Sequence, residues 1–87
     1  MMIPTVHLNG TSRSELLRQF RDAYAALITA TDKLAQASPN ARDYYPQGDD
    51  AYGKARDEHI ARMRKLKEVT ADLEEIAAAI LPPAKKN

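Results

Sequence analysis

Apolar residues recur at alternating steps of three and four in two long segments of this chain, and this spacing restricts its fold more than any other feature. Such spacing places side chains on one side of an α-helix, so the sequence predicts two amphipathic helices. The first row is Leu17, Phe20, Tyr24, Leu27, Thr31 and Leu34, flanked by a second row of Leu16, Ala23, Ala30 and Ala37. The other helix carries Tyr52, His59, Met63, Leu66, Val69, Thr70, Leu73, Ile76, Ala77 and Ile80.

The first helix is predicted over residues 12–37. Ser12 followed three residues later by Glu15 is a capping-box pattern, in which each side chain binds a free backbone N–H at the helix start. Pro39 disfavours helical geometry at Ser38 and cannot continue the hydrogen-bond ladder. The helix is therefore expected to end near residue 37.

The second helix is predicted over residues 49–81, leaving a loop over residues 38–48. The carboxylate of Asp49 or Asp50 is suited to cap its start and to favour the positive end of its dipole. Two prolines end it, and residues 82–87 are expected to form a mobile tail because they carry nothing to bury.

Residues 1–11 are predicted to form an extended N-terminal arm. Ile3 to Leu8 shows a partial apolar alternation, and Asn9-Gly10 is a turn-forming pair. A single extended segment has no second strand in this chain with which to form backbone hydrogen bonds. It therefore either lies over the helices or pairs with another subunit. We favour the arrangement between subunits.

At 87 residues the chain is too small for a large core, and it has no cysteine to form disulfides. Burying both apolar rows takes at least four helices, hence two or more chains. The predicted fold class is all-α: an antiparallel two-helix hairpin with an extended N-terminal arm, assembling into an oligomeric helical bundle. The residues expected at the oligomer interface are Leu17, Phe20, Tyr24, Leu27, His59, Met63, Leu66, Leu73, Ile76 and Ile80.

Charge and composition disfavour several classes of partner. Thirteen basic against twelve acidic side chains give a net charge of +1, too balanced for a protein that neutralises duplex DNA. No apolar segment reaches membrane-spanning length and no signal peptide is visible, so we expect a cytoplasmic protein that does not bind a membrane. With two histidines and no cysteine, neither a metal site nor another cofactor is expected.

No set of residues has the spacing of a catalytic site. The acidic residues come in adjacent pairs, and neighbours on a helix diverge by about 100°. Arg56 stands three residues before His59, where a carboxylate-bridged di-metal site would need glutamate. We read His59 as a hydrogen-bonded core or interface residue, and the basic stretch from Arg62 to Lys67 as a solvated face with a Glu58–Arg62 pair. The chain is not expected to be an enzyme.

The loop is the segment with the richest binding chemistry. Its eleven residues exceed the two to eight that usually join two helices. Tyrosines offer stacking faces, arginine binds phosphate or carboxylate, and amides bind polar edges. The candidate ligand-binding residues are Arg42, Tyr44, Tyr45 and Asn40, joined by the arm residues His7, Asn9 and Thr11. In the alternative interpretation, Tyr44 and Tyr45 only plug the bundle end while Arg42 pairs with Asp43 or caps the first helix.

Two segments, IPTVHLNGTS at residues 3–12 and PNARDYYPQG at residues 39–48, resemble small proteins of tailed bacteriophages and prophages. The resemblance implies a phage context rather than an activity. In architecture alone, the chain is similar to phage helical hairpins that sequester cyclic-nucleotide immune signals. It lacks the acidic-hydrophobic run ending in Trp-Ala-Asn of those proteins, and it contains no tryptophan.

The function expected from these features is sequestration of a nucleotide-derived host immune signal, without catalysis, in pockets between subunits. The protein would then act against host defence in the host cytoplasm. The alternative is a structural or assembly component of the phage virion, which would bind a phage structural protein through helix–helix contacts. The run Arg42-Asp43-Tyr44-Tyr45 is chemically richer than a plug requires and so favours the first function, whereas the arm and the unequal helices favour the second.

Overall fold

Two antiparallel helices form the chain in a computed structural model that describes residues 1–82. Helix α1 spans Arg13–Gln36 and helix α2 spans Ala51–Ile80, with short 3₁₀ turns at Ala41–Asp43 and Tyr45–Gln47 between them. The described residues contain no strand. The prediction of an all-α hairpin is confirmed for the single chain. The predicted tail over 82–87 lies outside the described residues, apart from Pro82.

The antiparallel direction follows from which residues meet across the hairpin. Near the loop, the Ser38 hydroxyl lies 3.1 Å from Nε2 of His59. At the other end, Phe20 and Tyr24 of α1 line one groove together with Leu73 of α2. We call this second end, where α1 begins and α2 finishes, the open end.

Helix α1 begins with half of the predicted capping box. The Ser12 hydroxyl accepts a hydrogen bond from the backbone N–H of Glu15 at 3.2 Å. The Glu15 carboxylate does not return to Ser12, because it accepts hydrogen bonds from Arg18 and Gln19 instead. One backbone donor is capped, and the glutamate stabilises the helix through side-chain pairs.

The end of α1 is tightened by side-chain and backbone bonds before Pro39. Ala37 donates its N–H to the carbonyl of Leu34 at 3.0 Å, and the Ser38 hydroxyl donates to the carbonyl of Ala35 at 2.6 Å. These bonds satisfy carbonyl groups that the last turn of a helix otherwise leaves free.

Helix α2 begins without the expected carboxylate cap. Asp50 is the N-cap residue, but its side chain makes no capping hydrogen bond. Its backbone carbonyl accepts the first helical bond, from Lys54 at 3.1 Å. Before it, Gly48 adopts φ 116° and ψ 167°, a conformation that sets the direction in which the chain enters the helix.

Only three of the described residues are buried: Leu17 and His59, each 8% exposed, and Ile80, 4% exposed. The other members of the row that contains Leu17 and of the row on α2 are half-buried, except Val69, which is 47% exposed. In the flanking row of α1, Leu16 is half-buried and Ala23, Ala30 and Ala37 are exposed. No described side chain is fully buried. The two helices thus bury each other's apolar rows only in part.

The shape explains this shallow burial. The chain measures 61 × 29 × 21 Å and has a radius of gyration of 19.2 Å. A compact domain of this length would have a radius of gyration of about 12 Å. A single layer of two helices has no further element to cover its sides, so apolar side chains remain partly exposed to water.

Candidate functional site

The loop between the helices is held by its own hydrogen bonds. Oδ1 of Asn40 accepts from the backbone N–H of Arg42 at 3.1 Å and so caps the first 3₁₀ turn. Asp43 donates its N–H to the Asn40 carbonyl at 3.0 Å, and Tyr44 donates to the Ala41 carbonyl at 3.1 Å. Asn40 therefore has a structural role beside any role in binding.

The two tyrosines of the loop differ in exposure. Tyr45 is 74% exposed, whereas Tyr44 is half-buried against the start of α2. Tyr44 lines an open cleft of about 510 Å³, whose other lining residues are Gln47, Gly48, Asp49, Asp50, Ala51, Lys54, Ala55 and Glu58. Of the two, Tyr44 resembles the plug of the alternative interpretation, and Tyr45 stays available for stacking.

Charge in the loop cleft disfavours an anionic ligand there. Asp49, Asp50 and Glu58 contribute three carboxylates to its wall, against the single ammonium of Lys54. Arg42 is exposed and is not among the lining residues. A phosphate placed in this cleft would meet net negative charge, so the expected arginine–phosphate contact would have to form outside it.

The arm residues lie at the other end of the molecule. His7 accepts a backbone hydrogen bond from Gly10 at 3.1 Å, which closes a turn just before α1. His7, Asn9 and Thr11 are all exposed there. Since α1 has 24 residues, about 36 Å of helix separates this turn from the loop. One chain does not bring the two halves of the predicted ligand site together.

His59 joins α2 to the end of α1. Its Nε2 lies 3.1 Å from the Ser38 hydroxyl, whose own proton is directed to the carbonyl of Ala35. The hydroxyl oxygen therefore accepts, and Nε2 of His59 is the donor. This arrangement agrees with the interpretation of His59 as a hydrogen-bonded core residue.

The ten residues expected at an oligomer interface lie on the sides of α1 and α2 that face each other in one chain. Leu17, His59 and Ile80 are buried there, and the remaining seven are half-buried. Their partial exposure leaves part of each row accessible to another chain. The predicted Glu58–Arg62 pair is also present, with the oxygen and nitrogen 3.5 Å apart on the surface.

The surface feature that composition and spacing did not reveal is the distribution of charge around α1. At 100° per residue, all six charged side chains between Ser14 and Gln36 fall within an arc of about 120°. Another part of the circumference faces α2. What remains is an uncharged side of α1, formed by Leu16, Gln19, Ala23, Ala26 and Ala30. Leu16 is half-buried and the other four are exposed. A helical wheel of the charged residues would have revealed this uncharged side of α1 from the sequence.

Within the charged arc, Arg18 bridges two carboxylates. It donates to Glu15 and, at 3.1 Å, to Asp22. Hydrogen bonds from Arg18 and then from Gln19 lower the pKa of Glu15 from 4.5 to about 2. A carboxylate with a lowered pKa stabilises the fold above its unfolded pKa, and this contribution is lost as the pH falls toward 2.

We expect Arg18→Ala to raise the pKa of Glu15 toward 4.5, because the largest cause of the shift is removed. Carbon-detected NMR titration of the glutamate carboxyls measures this directly. Arg13→Ala is the control, since it removes an arginine of the same helix that makes no described ion pair with Glu15. An unchanged Glu15 pKa in Arg18→Ala would show that the pair does not persist in solution.

Residues 1–82 contain no group of three or more side chains that could hold a metal ion. None of the described helices is long and apolar enough to cross a membrane. No protein-family model, curated protein or solved structure matches the chain.

Proposed function

We propose that this protein is a non-catalytic helix–helix binding protein, in which the uncharged side of α1 takes an amphipathic helix of a partner protein. The observation that carries the proposal is the distribution of charge around α1, where every charged side chain between Ser14 and Gln36 lies away from Leu16, Ala23 and Ala30. The side of a helix that faces only water typically carries charged residues, so an uncharged side indicates a contact surface.

The dimensions of this side suit a helix. Leu16, Ala23 and Ala30 repeat at steps of seven, so they lie in one row along α1. Helices pack with their axes about 8–10 Å apart, and the small alanine side chains favour the close end of this range. No charge has to leave water when the row is covered, so binding carries no desolvation cost for an unpaired ion.

The shallow core supports a function in an assembly. No described side chain is fully buried, and an elongated pair of helices of this size has little stability of its own. We therefore propose that the chain works as an oligomer that docks on a larger protein. The resemblance to small phage proteins points to a virion or assembly protein as the class of partner.

The test compares Ala30→Glu with Ala25→Glu. Both replace an exposed alanine of α1 with a good helix former, but Ala25 lies within the charged arc and Ala30 lies on the uncharged side. A photo-crosslinking residue at position 30, introduced in producing cells, first identifies the partner. We expect Ala30→Glu to weaken binding of the purified partner at least tenfold, because it buries an unpaired carboxylate. Ala25→Glu should bind like the natural sequence.

Equal effects of the two substitutions would contradict the proposed surface. So would a crosslink from position 25 to the same partner with the same yield as from position 30. Circular dichroism of both variants shows whether the helices are kept, so that a loss of binding is not confused with a loss of fold.

Sequestration of a nucleotide-derived signal has less support than helix binding. Tyr45 is 74% exposed and Arg42, three residues earlier in the same loop, is also exposed, which favours a stacking and phosphate contact at the loop. The acidic cleft next to them opposes it. A pocket that also uses His7 needs the arm of one chain to meet the loop of another, because about 36 Å of helix separates arm and loop within one chain.

A further inference from the structure

The charges along α2 are separated into two blocks. Residues 62–67, the basic block, contain no carboxylate and four basic side chains, which are Arg62, Arg64, Lys65 and Lys67. Residues 68–75, the acidic block, contain no basic side chain and four carboxylates, which are Glu68, Asp72, Glu74 and Glu75. All eight side chains are exposed. Along the axis of α2, a positive surface is therefore followed directly by a negative one.

Neighbouring charges within each block repel each other. Arg64 and Lys67 are three residues apart, and Glu68 and Asp72 are four apart, so the members of each pair lie on one side of the helix. Like charges at these spacings destabilise a helix. Of the eight side chains, only Arg62 forms an ion pair in the part of the chain that the structure describes. A surface of opposite charge placed against α2 would relieve this repulsion.

One row of exposed side chains runs through both blocks on the side of α2 away from α1. This outer row recurs at steps of three and four and consists of Ala61, Arg64, Glu68, Ala71, Glu75 and Ala78. Leu73 marks the side that faces α1, because it lines a groove together with Phe20 of α1. At 100° per residue, the outer row is centred roughly opposite Leu73. Half of its members are alanines, whose small side chains let two helix axes approach to the close end of the usual range of about 8–10 Å.

We propose that the outer row of α2 packs against the same row of a second copy of this chain, with the two helices antiparallel and related by a two-fold axis. In the register that the charges select, Arg64 lies opposite Glu75 and Ala61 lies opposite Ala78. The two-fold axis forms each of these contacts twice. The inference deepens the proposed function by naming the surface through which the chain oligomerises, and it rests on that oligomeric state. The uncharged side of α1 takes no part in this contact.

The charges beside the outer row are complementary in the same register. At 100° per residue, Lys65 and Asp72 lie on one flank of the row, and Lys67 and Glu74 lie on the other. Two antiparallel helices related by a two-fold axis bring identical flanks together. Lys65 of one copy therefore meets Asp72 of the other, and Lys67 meets Glu74. With the pair of Arg64 and Glu75 in the row itself, the two blocks are matched charge for charge.

Charge selects both the occupant and its direction. In a parallel pair with the helices in register, Arg64 would face Arg64 and Glu75 would face Glu75, and these like charges would repel. An acidic helix or a nucleic acid would be attracted to the basic block but repelled by the acidic one. A second copy that runs antiparallel presents the two blocks in reverse order, so it is the occupant that complements both blocks at once.

The first test reverses one charge at a time and measures self-association by sedimentation equilibrium at low ionic strength. In Arg64→Glu the new carboxylate lies opposite Glu75 of the second copy, and in Glu75→Arg the new guanidinium lies opposite Arg64. We expect the dimer dissociation constant of each variant to rise about tenfold or more, because two like-charge contacts form. An equal mixture of the two variants should dimerise as the natural chain does, since every glutamate then faces an arginine.

The matched controls for these charge reversals are Lys33→Glu and Asp32→Arg. They change the net charge of the chain by the same amounts, but at exposed positions of α1. Each should dimerise as the natural chain does at the same ionic strength. Circular dichroism of all four variants shows whether the helices are kept, so that lost dimerisation is not confused with lost fold.

The second test uses cysteines to determine the direction of the pair, because the natural chain has none. Differently tagged Ala61→Cys and Ala78→Cys chains are mixed and oxidised, so that a disulfide between the two tags reports a contact between copies. The comparison is a mixture in which both tagged chains carry Ala61→Cys. In the antiparallel register we expect efficient linkage of position 61 to position 78 and little linkage of position 61 to itself.

The outcomes separate this inference from the proposed function. A dimer that is insensitive to both charge reversals, or one that the mixture of the two variants does not restore, overturns the inference and leaves oligomerisation intact. Preferred linkage between two Ala61→Cys chains also overturns it, because it indicates a parallel pair. A natural chain that stays monomeric at every concentration overturns both the inference and the proposed oligomeric state, while binding of the partner at Ala30 stands or fails by its own test.

Discussion

Replacing Ile80 with alanine is expected to lower the free energy of unfolding by about 2–4 kcal/mol. Ile80 is 4% exposed, the lowest value among the apolar residues described, and it ends α2 at the open end. The substitution removes buried methylene groups and leaves a cavity that a two-helix structure can close only in part. Urea unfolding followed by circular dichroism measures the change.

The loss expected for Ile80→Ala is large relative to the total free energy of unfolding of the chain. A chain of this size has a total stability of roughly 4–13 kcal/mol, so Ile80→Ala should leave the lower end of that range close to unfolding. Ile60→Ala is the matched control. Ile60 belongs to the same helix but is 48% exposed, and its truncation should cost less than about 1 kcal/mol. Equal losses in the two variants would mean that a second chain covers Ile60 in solution.

The helices were predictable because their signals are local. The steps of three and four placed Phe20, Leu27 and Leu66 on the apolar rows of the two helices, and the structure has these side chains half-buried. Pro39 and the Ser12 cap limited α1 to within one residue at each end. Each of these signals acts over a single turn of helix, so reading them requires no knowledge of the rest of the chain.

The start of α2 was harder to predict, because two neighbouring aspartates offered equal caps. The structure uses the backbone of Asp50 and neither predicted side-chain bond, and the helix begins at Ala51. The conformation of Gly48 decides this entry. A positive φ at one glycine depends on how the whole loop packs on α2, which spacing along the sequence does not contain.

The candidate site shows the same limit. Sequence chemistry selected Arg42, Tyr45 and His7 because side chains of these types bind ligands in proteins, but the distances between them depend on the direction and length of the helices. The turn before α1 and the loop after it are separated by about 36 Å of helix. Residue types alone do not show whether the arm of a second chain reaches the loop of the first. The ligand site therefore stays a prediction about an assembly of chains.

Two glycine-to-alanine substitutions five residues apart are expected to change stability in opposite directions. Gly48→Ala should lower the free energy of unfolding by about 1–3 kcal/mol, because φ 116° and ψ 167° belong to a region that only glycine adopts readily. A Cβ at Gly48 would meet nothing within 4 Å. The loss would therefore come from the backbone alone and not from a clash.

Gly53→Ala should raise the free energy of unfolding by about 0.5–1 kcal/mol. Gly53 lies in the first turns of α2 and its added Cβ also meets nothing within 4 Å. The methyl group then restricts the unfolded chain without disturbing the folded one. Thermal and urea unfolding of both variants measure the pair under identical conditions.

If both changes stabilise, Gly48 does not hold its positive φ in solution, and the direction in which the loop presents Tyr45 is not fixed. Opposite signs would establish that the loop enters α2 in one fixed conformation. A ligand or another chain that contacts the loop would then bind without a further entropy cost for ordering it.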